Sequence, residues 1–212
     1  MTNPVLIGLA GQSCAGKNAA AAILEKHGFF CIDADAVSKT VFFKHEHELF
    51  ALFKGEAAAR HIDITNRNAA SSSIIDRQNF ALLVFSDEAL LKRHEDFILP
   101  KITAQIEAEI RQNAALNPSQ PIVLNAPTLH KTELVKKCSF FLYIKACTIV
   151  RIVRALKRDR IPLKQVLARF SKQNDFFSQY FFPNADIVVV KNSGSIGKLE
   201  NRLLQELKKR GF

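Results

Sequence analysis

The 212-residue sequence lacks a basic flank followed by a long apolar run and a small-residue cleavage site at its start. It also has no apolar stretch long enough to cross a bilayer. Both absences predict a cytoplasmic protein with no membrane partner. Closely paired cysteines are missing too. Cys14, Cys31, Cys138 and Cys147 are scattered without the short spacings of a zinc or redox motif, so reduced and mostly buried thiols are expected. There is no internal repeat and no low-complexity linker, which predicts a single domain over residues 1–212 with one core and small inserted lobes. Acidic residues are in deficit, 20 against 30 Lys and Arg, for a formal charge of +10. That balance argues against an acidic-surface binding module and favours a polyanionic partner: a nucleotide, a coenzyme or nucleic acid. Nucleic acid is not expected, because aromatic residues are not interleaved with basic ones as single-strand recognition requires.

What is present is an alternation of short apolar runs and helical segments. Residues 5–9 (VLIGL) read as a strand that meets a glycine loop, and the loop passes into the Ala-rich NAAAAILEK, whose composition favours helix. His27-Gly28 ends that helix, and residues 29–32 read as a second buried strand that delivers Asp33 and Asp35 at its end. From residue 36 to about 116 the pattern is almost wholly helical, broken by the polar segment 66–73. Its longest piece is ILPKITAQIEAEIRQNAAL, with Pro100 suited to the first turn. Apolar runs at 121–124 (PIVL), 140–144 (FFLYI) and 186–190 (DIVVV) complete five strands, and residues 195–210 carry leucines at helical spacing. Strands separated by helices predict an α/β fold with a parallel sheet.

Gly11-Gln12-Ser13-Cys14-Ala15-Gly16-Lys17 fits GxxxxGK, and it lies between a predicted strand and a predicted helix, the context that separates this motif from chance. Such a loop turns successive N–H groups toward one point, where the N-terminus of the helix adds its positive dipole end. Lys17 is the compact charge that follows a transferred phosphoryl group. Asn18, followed by Ala19, stands where a Ser or Thr hydroxyl commonly reaches magnesium. Its neutral carbonyl oxygen would bind the metal directly, hold one of its waters, or mark a site that has lost metal affinity. Asp33 and Asp35 beside such a loop suit metal and nucleophile handling, while Asp35 before AVSKTVF also suits helix capping.

Beyond these features the chain resembles the dephospho-coenzyme A kinases. The likeness runs through the strand and glycine loop, IDAD (32–35), IIDRQNFALLVFSDEALLKRHEDFILPKI (74–102), PIVLNAPTLHKTEL (121–134), RALKRD (154–159) and ADIVVVKNSGS (185–195). It covers nearly the whole chain in order. The resemblance implies a P-loop kinase of the nucleoside monophosphate kinase type, with a five-stranded parallel sheet flanked by helices. The core would comprise residues 1–35, 117–147 and 185–212, with a helical acceptor lobe at about 36–116 and a helical lid at about 148–184. Such enzymes phosphorylate the ribose 3′-hydroxyl of dephospho-coenzyme A with ATP and Mg²⁺.

Carried over by position, Lys17, Asp33, Asp35 and Arg154 would be catalytic. Residues 11–19, Arg158 and Asn192 would hold the nucleotide, and Asp35, Arg77 and Pro127 the acceptor. Asn18 and Asp33 would serve the metal. Arg151, Lys157, Arg160, Lys164, Arg169 and Lys172 add charge to the lid segment. Several positions depart from the family pattern: Asn18, Leu99 for a usual His, Gln12 and Cys14 for glycines, Thr128 within Pro-Leu-Leu, and the aromatic stretch 174–184. The same loop would also serve a kinase for another small hydroxyl acceptor, or a nucleotide-binding protein without turnover. The oligomeric state is left open.

Overall fold

A computed structural model of the chain describes residues 4–68, 72–126, 132–159, 162–171 and 186–212. They divide between two compact units, residues 1–34 with 109–212, and residues 35–108.

The first unit is built on five strands, β1 (Leu6–Gly11), β2 (Phe30–Asp33), β3 (Ile122–Asn125), β4 (Phe140–Lys145) and β5 (Ile187–Lys191). They form one sheet in the order β2-β3-β1-β4-β5, and every pairing is parallel. β1 is central and buried along its whole length, which is why its run of apolar residues does not alternate with polar ones. Helices α1 (Lys17–Lys26) and α8 (Ile196–Lys208) contribute Ala20, Leu24, Leu199 and Leu203 to the same core as Ile7, Leu9 and Leu142. α1 stops where expected. Gly28 takes φ +86° while its N–H bonds the Glu25 carbonyl and that of Phe29 bonds Leu24, closing the helix end. Two further helices, α6 (Thr148–Asp159) and α7 (Leu163–Ser171), pack through Ala155, Val166 and Phe170, with Cys14 against them. Because the sheet is parallel, Gly11, Asp33 and Asn125 all end strands at its carboxyl edge. Asn125 is in register with both Leu9 and Asp33.

The 35–108 unit holds most of α2 (Ala34–Lys44), then α3 (Glu46–Ala59), α4 (Arg77–Val84) and most of α5 (Glu88–Leu116). Leu49, Phe53, Phe80 and Leu83 form its interior, with the Phe53 and Phe80 rings edge to face at 5.3 Å. Asp76 caps α4 by accepting the N–H groups of Gln78 and Asn79. The polar break before α4 is anchored by the buried Glu46, which accepts from Ser73 Oγ at 2.7 Å and from the Ile74 N–H.

Two sequence expectations are corrected. Pro100 does not open its helix: α5 begins at Glu88 and runs through it. The proline removes one ladder bond, but Ile98, Ile102 and Ile106 are buried four residues apart and hold the helix on through that defect. The thiols are also less buried than expected. Cys14, Cys31 and Cys138 are half-buried, and Cys147 is exposed at the turn between β4 and α6. Among the described residues no helix is long and apolar enough to cross a membrane.

Candidate active site

The glycine loop leaves β1 at Gly11 and enters α1 at Lys17. Two of its residues are left-handed, Cys14 with φ +60° and Gly16 with φ +101°. Gly16 is required on two counts: its φ strains any L side chain, and a Cβ there would run into the Asn192 amide. Cys14 stands in the left-handed region with a side chain, a conformation costing about 1–2 kcal/mol that its surroundings must hold. Lys17 folds back so that Nζ donates to the Gly11 carbonyl at 3.1 Å, which keeps the ammonium over the loop.

The loop carbonyls are held from one side by basic and amide groups. Arg151 Nε donates to Ser13 O at 2.9 Å, and Arg154 Nη1 donates to Ala15 O at 3.2 Å. The buried Asn192 donates from Nδ2 to Ala15 O at 2.8 Å. Since carbonyl and following N–H are antiparallel across a trans peptide, carbonyls captured on that side turn the N–H groups of Cys14 and Gly16 the other way. The N–H groups of Cys14 and Gly16, turned to that side at the positive end of α1, suit an anion, while the Ala15 N–H closes the turn onto the Gln12 carbonyl at 3.1 Å.

On the opposite flank Asn18, Glu25, Cys31, Asp33 and Asn125 line a cavity of about 170 Å³. Asn125 is a residue that sequence reasoning missed. The available signal was a polar residue ending an otherwise apolar run. Its Nδ2 donates to Asn18 Oδ1 at a long 3.4 Å, and its own Oδ1 is buried with no hydrogen-bond partner. A buried orphan oxygen costs about 1–3 kcal/mol, so a bound water or hydrated cation is the natural complement. The cavity offers the carboxylates of Asp33 and Glu25 and the amide oxygens of Asn18 and Asn125. These hard donors suit a magnesium ion that keeps several of its waters. The Cys31 thiol does not compete for such an ion. Burial, reinforced by the charge of Glu25, pushes its pKa up to about 12 and keeps it protonated.

The remaining predicted residues fall as follows. Ser13, Ala15 and Ala19 belong to the loop and to the first turn of α1. Asp33 closes β2, and Asp35 stands in the first turn of α2 rather than at its cap. Arg77 opens α4 in the 35–108 unit, stacked over the Phe42 and Phe43 rings. Arg158 lies at the end of α6, where it pairs with its neighbour Asp159 at 2.6 Å. Leu99 is within α5. Pro127, Thr128, Arg160, Lys172 and the stretch 174–184 lie outside the described residues, as does the side chain of Arg169. Sequence reasoning placed Arg151 among the lid charges, whereas it is 4 % exposed and packed on the loop. Cys147 precedes α6, and the N–H of Val150, with further help from the Ser193 hydroxyl, lowers its thiol below the ordinary range.

A central strand running through a glycine loop into a helix, in a parallel sheet of order 2-3-1-4-5, defines a P-loop kinase fold. The comparisons narrow this further. The sequence model of the dephospho-CoA kinase family matches residues 5–198, so the chain belongs to that family. It is 58 % identical over its whole length to the dephospho-CoA kinase of Treponema denticola, covering 92 % of that protein. To that of Treponema pallidum it is 39 % identical over 97 % of this chain and 95 % of the relative. Among solved structures, TT1252 from Thermus thermophilus superposes with a TM-score of 0.77 at 26 % identity, covering 98 % of each chain. The dephospho-CoA kinase of Campylobacter jejuni shares the fold, with a TM-score of 0.67 at 21 % identity over 98 % of each chain.

Proposed function

We propose that the protein transfers the γ-phosphoryl group of ATP to the ribose 3′-hydroxyl of dephospho-CoA, giving CoA and ADP, as the last step of CoA biosynthesis in the cytoplasm. The observation that carries the reading is the loop itself. Its carbonyls are drawn to one side and Lys17 is folded over it at the head of α1. Family membership supplies the acceptor.

In this reading the loop amides of residues 11–19 receive the nucleotide phosphates, and Lys17 follows the transferred group. Asn192 borders the nucleotide. Arg154 and Arg158 neutralise the equatorial oxygens and exclude water, which matters most in a loose transition state. Asn18, Asp33 and Asn125 would hold a hydrated Mg²⁺, which when bound neutralises charge on the phosphates. Asp35 accepts the proton of the 3′-hydroxyl as the new O–P bond forms and the bond to the β-phosphate oxygen breaks. An ordinary carboxylate suffices because orientation does most of the work. Arg77 and Pro127 belong to acceptor binding, residues 36–116 to an acceptor lobe and residues 148–184 to a lid.

The test is product formation from ATP, Mg²⁺ and dephospho-CoA. Lys17→Ala is expected to lower turnover about a thousandfold. A second reading, nucleotide binding without turnover, is favoured by the two carboxamides of Asn18 and Asn125 on the metal flank. Nucleotide binding with no product under any divalent metal would select it.

A further inference from the structure

Arg151 is a buried cation that pairs with no carboxylate among the described residues. Among the described residues, the ionisable groups that face it are the Tyr143 phenol and the Cys14 thiol. An isolated guanidinium is costly to bury unless its donors are engaged, and here two of its three nitrogens are engaged by the phosphate loop. Nε takes the Ser13 carbonyl at 2.9 Å and Nη1 takes Gln12 Oε1 at 2.8 Å. Its Cζ lies over the Phe170 ring, 4.2 Å from the centroid, and Nη2 is buried without a partner. The contact through Gln12 is made by its side-chain amide oxygen, which a glycine at this position would lack.

We propose that Arg151, with Gln12 as its second anchor, is the positioning residue that presets the phosphate loop for the nucleotide. Nε holds the Ser13 carbonyl on the lid side, so the N–H of Cys14 is turned into the concavity before any anion arrives. Gln12 fixes the plane of the guanidinium, and Phe170 fixes its face. Together they hold Cys14 in its left-handed conformation, which a glycine would adopt unaided. Preorganisation of this kind removes the ordering cost from the binding step, so its loss should be read in nucleotide affinity. Lysine cannot replace the fork, because one ammonium does not span both acceptors in a plane.

This inference rests on the kinase reading and is tested separately from it by calorimetric titration of the full chain with ADP and with a non-hydrolysable ATP analogue. Arg151→Met keeps an apolar body against Phe170 and is expected to raise the nucleotide Kd about tenfold or more. Arg151→Lys should recover part of that loss. Gln12→Gly should weaken binding about threefold in the native background and add nothing in the Arg151→Met background, a coupling that a general loss of stability does not produce. A folded Arg151→Met with a Kd within twofold of the native value overturns the proposal, as does an additive double variant. Should Arg151→Met not fold, Gln12→Gly alone decides, and an unchanged Kd overturns the proposal. Failure of the native chain to bind nucleotide would instead bring down the kinase reading.

Discussion

The two flanks of the phosphate loop are tied down very differently. On the α6 flank, Arg151, Arg154 and Asn192 take the Ser13 and Ala15 carbonyls at 2.8 to 3.2 Å, and Gln12 adds a further bond to Arg151. On the Asp33 flank, Asn18 and Asn125 meet at 3.4 Å, and a buried oxygen of Asn125 has no hydrogen-bond partner. The contrast matches the chemistry proposed for each side. An anion site made of backbone amides works only if the peptide planes are already turned, because rotating them during binding would cost affinity. A hydrated magnesium site tolerates loose ligands, since the ion brings waters that fit themselves to the cavity.

The largest effect is expected from removing the acid at the strand end on the weakly tied flank. Asp33→Asn should lower kcat/KM for phosphoryl transfer about a hundredfold while leaving metal-free ADP binding near the native value, read by parallel kinetics and calorimetry. Loss of ADP binding as well would mean that the two flanks are one unit. A gentler change sharpens the contrast: Asn125→Asp places a charge where a neutral amide oxygen now lies buried. It should lower the Mn²⁺ concentration for half-saturation about tenfold, measured by electron paramagnetic resonance in the presence of ADP. An unchanged value would remove Asn125 from the proposed metal site.

The smallest effect concerns Cys147. Exposed and lowered by the Val150 N–H, it should be the first thiol alkylated, and its rate should level off at a lower pH than that of an ordinary thiol, since the reactive thiolate is already formed there. Cys31 and Cys138, both pushed up to about 12 by burial, should stay unmodified over the same range, as peptide mapping would show.

Much of the fold was legible because local signals agreed with one another. The apolar runs are strands, the Gly28 stop is a helix end, and GxxxxGK sits between β1 and α1 as its context required. Pro100 was misread for a physical reason. Proline is locally a helix starter, and what carries α5 past it is the burial of isoleucines on both sides, which local propensity does not contain. Asn125 and Arg151 escaped for a related reason. One ends a strand and the other lies in a charged helix, and neither role exists until the loop is beside it.

The linear chain by itself therefore determined the elements, the parallel sheet and the phosphate loop, because period, turn chemistry and the spacing of glycines and lysine act over a few residues. Tertiary structure alone decided which groups hold the loop. Residues 13 and 151 are 138 positions apart, as Gln12 and Arg151 are 139, and only the placement of α6 beside the loop brings a guanidinium to the Ser13 carbonyl and the Gln12 amide oxygen.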